Sequence, residues 1–417
     1  MYKKTKLKNG LTILKVPIKG AKSVLVDVFV KVGSRSEPAK VNGASHFLEH
    51  LFFKGSKRFP TAMDLSHSLD AIGAEYNANT GKEHTQYYIK AAAKHFQFIF
   101  ETLSDVLQNP LFLEDEIERE RGVIIEEINM YEDSPMQHVE DVLEEVMWPR
   151  QALGRNIAGS KKSVANIRRK DIVSYKETFY QPKNMILAVA GKFRDGLLDK
   201  LIKNHWSRNK SKSFPKWSRA RNAQKSPRVK VEKKPTEQYH LSVGFRSFDH
   251  NHKDNTAQMV LAAILGGGMS SRLFTEIRER RGLAYYVRAG ASSYQDTGSF
   301  GIKAGIRAGA LPEALGVMEA EFRKIKTEGV NKIELKKAKE YLKGSLTLSL
   351  ESNDSLLSWY LGQAAFRDRT LSLEQELRLI DRVSGRDVKR VANAIFRADK
   401  ISIAVVGPKI ERLRINL

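Results

Sequence analysis

Within VNGASHFLEHLFF three residues are of types that do chemistry together: His46, Glu49 and His50. On a helix His46 and His50 stand at i and i+4, so their imidazoles share one face. That separation suits two neutral nitrogen ligands on one tetrahedral zinc ion. Glu49 projects beside the same face, placed to take a proton from a water at the metal rather than to ligate it. The bland alternative is a surface histidine pair with a carboxylate neighbour. Against it stand the glycine and serine before the triplet and the apolar Leu51, Phe52 and Phe53 after it, which suit a helix set into a core.

A catalytic zinc takes three protein ligands and keeps a fourth position open. The chain has no cysteine, which excludes disulfides, thiolate nucleophiles and cysteine-ligated zinc, so the third ligand is a histidine or a carboxylate. EDEIERERGVIIEEINMYEDSP reads as a helix with Glu120 and Glu127 at i and i+7 on one face. Glu127 is the candidate ligand and Glu120 a carboxylate able to orient it or a histidine. Spacing alone leaves Glu120, Glu126 and Glu127 open. His250 and His252 in FDHNHKD show no third ligand, and His84 is expected to pack beside the metal layer.

These side chains need a frame. Residues 24–32 and 240–248 alternate apolar and polar with β-branched residues, as strands do. Residues 74–90 read as strand, turn and strand. Helical patterns cover 43–54, 61–73, 88–108 and 113–131, then 255–265, 270–280, 311–328 and 331–351. Residues 164–193 and 380–409 align without a gap: Asp171 with Asp387, Ile172 with Val388, Tyr180 with Phe396, Gly191 with Gly407. Each stretch reads as a capped helix followed by an apolar strand ending in glycine, which points to duplication. The expected fold is α+β: two homologous α/β-layered domains, each a mostly antiparallel sheet flanked by helices. The expected boundaries are 1–208 for the metal-binding domain, 209–230 for a basic linker and 231–417 for a homologous domain without the metal motif. In the second half, Gly266, Gly267 and Gly268 precede a helical pattern but lack the lysine of a phosphate loop.

The 417 residues carry a net charge of +23, and from Arg208 to Lys234 eleven lysines and arginines face only Glu232. Such a run reads as a solvated connector. Charge alone is then a weak case for nucleic-acid binding, and none is expected. No apolar run reaches the roughly 18 residues of a membrane span, and no secretory signal pattern opens the chain; the expectation is a cytoplasmic protein without membrane contact.

HFLEHLFFKGS followed by VIIEEINMYEDSP resembles the inverzincin metallopeptidases of the pitrilysin and insulin-degrading enzyme group, whose H-x-x-E-H reverses the thermolysin-type order. SSRLFTEIRERRGLAYYV is similar to the branch of mitochondrial processing peptidase and its bacterial relatives. The likeness extends to VGSRSEP, GAEYNANTGKEHTQYY and LGRNIAGS. It implies that Glu127 is the third ligand and Glu120 its supporting carboxylate, with one Zn2+ per chain. It implies a substrate strand at Asn77, Ala78 and Asn79, and substrate contacts from Arg278 and Tyr285. The implied activity is a zinc endopeptidase acting on extended or unfolded peptides inside a clamshell chamber. A homodimer would form that chamber, with a heterodimer containing a metal-less homologue as the fallback. The rival expectation is a non-catalytic scaffold of the same fold, like the core subunits of respiratory complexes, which typically lose the metal residues.

Overall fold

The structure, a computed structural model, describes residues 2–207 and 211–409. The first half contributes β1 (Lys3–Lys6), β2 (Thr12–Pro17), β3 (Ser23–Val30), α1 (Ala44–Leu51), α2 (Ala62–Asp70), β4 (Glu75–Thr80) and β5 (Thr85–Ala92). There follow α3 (Phe96–Gln108), α4 (Glu114–Glu132), α5 (Pro135–Met147), α6 (Lys161–Asn166), α7 (Arg169–Phe179), β6 (Met185–Gly191) and α8 (Asp195–His205). The second half contributes β7 (Arg228–Lys233), β8 (Gln238–Ser247), α9 (Asn255–Gly266), β9 (Ala284–Ser293) and β10 (Gly298–Arg307). It closes with α10 (Leu311–Thr327), α11 (Lys332–Ser349), α12 (Asn353–Phe366), α13 (Leu373–Arg382), α14 (Gly385–Ile395) and β11 (Ser402–Gly407).

The strands form two sheets of like order, β1-β2-β6-β3-β5-β4 and β7-β11-β8-β10-β9. In each, one parallel pair (β2 with β6, β7 with β11) precedes an antiparallel series. The aligned ends behave alike: Asp171 accepts from the Arg168 amide at 3.0 Å and Asp387 from the Ser384 amide at 2.9 Å, each closing the first turn of its helix. Ile172, Val388 and Phe396 are fully buried. This is the layered α+β architecture expected, built twice.

The sheet of the first half is covered on both faces. Val24, Val26, Val28 and Val30 of β3 join the core with Phe47, Leu48 and Leu51 of α1 and Ile117, Ile124 and Ile128 of α4. Leu25, Asp27 and Phe29 point to the other face and are equally buried. There α12 arrives from the far end of the chain: Asp354 pairs with Lys90 of β5 at 2.9 Å, and Leu357 and Leu361 are fully buried. In the sheet of the second half the corresponding cover is α5, whose Val139, Val142 and Leu143 pack with Ala404 and Val406 of β11. Among the described residues the compact units therefore comprise 2–129, 155–207, 211–218 and 350–365, and 130–154, 219–349 and 366–409. Where the sequence suggested continuous stretches, each unit takes one helix from the other half.

Two local expectations need correction. Residues 88–92 continue strand β5 instead of opening a helix, because Tyr88 and Lys90 pair with Asp27 and Leu25 of β3. The helix expected over 270–280 is wound as a π-helix at Phe274–Glu279. Of the basic segment, residues 208–210 lie outside the described residues, and Arg228 already starts β7. Lys212, Lys216, Arg219, Arg221 and Lys225 are exposed, as a solvated connector requires. Its Trp217 nonetheless lies against the buried Arg35 guanidinium, 3.9 Å from ring centre, while Arg35 also pairs with Glu83 at 2.5 Å. Among the described residues no helix is long and apolar enough to cross a membrane.

Candidate metal centre

α1 is short and needs help at its start. Gly43 has φ +101°, and a Cβ there would meet the Ala158 carbonyl oxygen at 2.6 Å. The carboxylate of Glu37 accepts from the amides of Gly43 and Ser45, both at 2.7 Å, and from Asn42 Nδ2 at 2.9 Å. It thereby satisfies donors that a helix N-terminus leaves open and complements the helix dipole. Burial pushes the Glu37 carboxyl above its ordinary range, and these bonds oppose that shift. Ser45 Oγ and Tyr175 Oη of α7 share a hydrogen bond at 2.8 Å. With Phe47 and Leu48 in the core, His46 and His50 are turned toward α4.

α4 buries Ile117, Glu120, Ile124 and Ile128, with Glu127 half-buried beside them. At seam spacing, carboxylates thus stand among isoleucines. His46 Nε2 lies 3.4 Å and His50 Nε2 3.5 Å from Glu127 Oε2, and one donor atom from each residue lies within 4.8 Å of the others. Donors at ~2.0–2.1 Å from a tetrahedral zinc are about 3.3–3.4 Å apart, which both histidine–Glu127 separations match, so the group could hold such an ion. Glu120 Oε2 takes the other nitrogen of His50, Nδ1, at 3.0 Å, and Glu120 Oε1 pairs with Lys54 at 2.7 Å. Glu126 is turned outward, where Asn129 donates to it at 3.2 Å.

The charges around this cradle are ordered. Burial, with the nearby charge of His50, lowers His46 to about 4, leaving it the neutral imidazole that ligation needs. Burial would lower His50 too, but the bonds to Glu120 and Glu127 outweigh it and raise the ring to about 9. The bond to His50 holds Glu127 below the usual carboxylate range. The two carboxylates thus favour the protonated form of His50, and ligation through Nε2 requires that proton to leave. Burial pushes Glu49 upward against the pull of Thr80, whose hydroxyl donates to Glu49 Oε2 at 2.6 Å.

Of the other residues singled out, Asn77, Ala78 and Asn79 lie on β4, the terminal strand of its sheet. The Ala78 amide donates to Asn77 Oδ1 at 2.8 Å. Arg278 and Tyr285 belong to the second unit. There Arg278 donates to the Tyr285 carbonyl at 2.6 Å, and Tyr285 is 76% exposed. Gly266–Gly268 sits at the C-terminal end of α9, and a Cβ on Gly266 would meet the Ala289 amide at 2.3 Å. The glycines allow close packing there and do not open a helix toward an anion. His84 stacks on Phe29, His250 on Phe366 and His252 on Phe248. Sequence reasoning missed Glu37, Lys54 and Thr80. Lys54, four residues after His50 on the α1 side, carried a legible signal; Glu37 and Thr80 act through the fold.

A family model described as Insulinase (Peptidase family M16) matches residues 14–161, and one described as Peptidase M16 inactive domain matches residues 166–342. A protein of Bacillus subtilis (strain 168), named as an uncharacterized zinc protease, is 33% identical over 98% of both chains. One of Mycobacterium tuberculosis (strain ATCC 25618 / H37Rv), with the same description, is 34% identical over 97% of this chain and 93% of its own. The crystal structure of a protease from Helicobacter pylori superposes with a TM-score of 0.90 at 27% identity, covering 97% of this chain and 99% of that one.

Proposed function

The chain belongs to Peptidase family M16, the insulinase family, and on that premise we propose that it is a zinc-dependent endopeptidase acting on extended or unfolded peptides. The observation that carries this reading is the convergence of His46, His50 and Glu127, with the two histidine Nε2 atoms 3.4 Å and 3.5 Å from Glu127 Oε2 and one donor atom of each residue within 4.8 Å of the others. In it, His46, His50 and Glu127 hold the ion and Glu120 orients His50. When bound, zinc would supply Lewis acidity, polarising a carbonyl and bringing the pKa of a water toward ~7. Glu49 accepts the proton of the attacking water and returns it to the leaving amine. The Thr80 hydroxyl fixes the Glu49 carboxylate in that position.

Peptide would add to the free side of β4 at Asn77, Ala78 and Asn79, main chain to main chain, which gives affinity without demanding one sequence. Arg278 and Tyr285 are assigned to substrate contact, guanidinium on backbone and hydroxyl on the carbonyl oxygen, on the strength of the resemblance. A homodimer enclosing a chamber is part of the same proposal, with a metal-less homologue as alternative partner. The test is Glu49→Gln. Metal content by elemental analysis should stay at one zinc per chain, while turnover of an unstructured peptide falls about 10²–10⁴-fold. Wild-type chain that binds no zinc and cleaves nothing would leave the scaffold reading in its place.

A further inference from the structure

On the α5 face of the second sheet, a cross-strand row consists of Gly244 of β8, Gly301 of β10 and Gly290 of β9. The same row of the first sheet holds Phe29, Gln86 and Asn79. Packing explains only the first glycine. A Cβ on Gly244 would meet Met147 Sδ of α5 at 2.6 Å, whereas one on Gly301 has nothing nearer than the Val243 carbonyl oxygen at 3.9 Å and one on Gly290 nothing within 4 Å. The two open glycines floor a cleft of about 340 Å³, walled by Met147, Trp148 and Tyr294. That size suits a single ring-bearing group.

Two buried polar groups of its lining lack a partner among the described residues. Ser242 and Trp148 line the cleft and are each 1% exposed. Among the described residues neither Ser242 Oγ nor Trp148 Nε1 has a hydrogen-bond partner. Buried donors are seldom left so. On the rim, Lys303 is paired with Glu140. Glu144 and Arg288 also line the cleft, and Arg288 is exposed.

We infer that this cleft binds an aromatic residue bearing a free carboxylate, as at the C-terminus of a peptide or in an N-acylated aromatic amino acid. The ring lies on the flat glycine backbone beside the half-buried Tyr294, as aromatic groups prefer. Arg288 takes the ligand's carboxylate, for which its planar fork is suited, while Ser242 and Trp148 lie closed from solvent.

The test is direct binding of N-acetyl-phenylalanine and N-acetyl-phenylalaninamide to the zinc-loaded full chain, by calorimetry or saturation-transfer NMR. Valine at 301 suits a strand and meets no close neighbour, so Gly301→Val should fold, checked by circular dichroism, while filling the floor. It should weaken both probes about tenfold or more. The acid should bind wild type several-fold more tightly than the amide, and Arg288→Gln should remove that difference. Absence of wild-type binding, equal affinity for acid and amide, or unchanged binding to Gly301→Val would each overturn the assignment. The readout needs no turnover, so its failure leaves the peptidase reading standing.

Discussion

Two carboxylates in the first unit show how burial sets the charge a side chain can keep. Glu120 is 2% exposed yet held below the ordinary carboxylate range, because His50 and Lys54 overcome the cost of its burial. Its neutral isostere in Glu120→Gln keeps the shape and removes the charge that orients His50. Zinc affinity should fall about 10–100-fold, measured by competition with a chromophoric chelator. Asp27 has no cation paired with it among the described residues. Gln86 Nε2 donates to its Oδ2 at 2.5 Å, but its Oδ1 has no partner among the described residues. Burial raises it to about 7. Its folded value lies above its unfolded one, so its contribution is most favourable below pH 4. That contribution declines as pH climbs from about 4 to 7, through the range where only the unfolded chain ionises, and then levels off. Asp27→Asn removes this component. The variant's melting temperature relative to wild type should therefore rise between pH 5 and pH 8, and parallel curves would show that Asp27 is not the titrating group.

At the scale of elements, β4 joins the sheet on one side and leaves the other open. Since the Ala78 amide is taken up by Asn77 Oδ1, a peptide docking there competes only with a local side chain. Proline is tolerated on edge strands and removes that donor. Ala78→Pro should raise the KM for an unstructured peptide about tenfold with zinc content unchanged; an unchanged KM would place peptide elsewhere. The elements carrying this chemistry were legible to different degrees. The i, i+4 histidines and the alternation of β3 and β8 are local patterns, and the structure contains α1 and both strands. The choice among Glu120, Glu126 and Glu127 was not local. All three sit on α4, and only the packing of Ile117, Ile124 and Ile128 decides which carboxylates turn toward α1. Residues 88–92 had a helical pattern but became strand, because tertiary pairing with β3 outweighs propensity. Glu37 caps a helix that begins seven residues after it, and no capping-box spacing marks it.

At the scale of the whole chain, the exchanged helices make each compact unit depend on residues from both halves. Leu14, Leu25, Phe29 and Ile186 are buried on the face of the first sheet where α12 lies. The contacts of α12 there include Asp354 with Lys90, Tyr360 with Tyr2 and Asn353 with Ser23. A fragment of residues 1–226 would keep the entire metal motif and all six strands of that sheet, yet it would lose this cover and leave the apolar side of α5 without a sheet to pack on. Such a fragment exposes a contiguous apolar face far beyond what a stable monomer tolerates. It should bind a hydrophobic dye, lack a near-ultraviolet dichroism signal and melt without a cooperative transition. Supplying residues 350–366 as a fused C-terminal helix should restore part of the cooperativity, because the loss is of a specific cover and not of chain length. A 1–226 fragment that unfolds cooperatively and binds zinc as the full chain does would show that the first sheet holds its core without the borrowed helix, and that the duplicated halves fold independently despite the exchange.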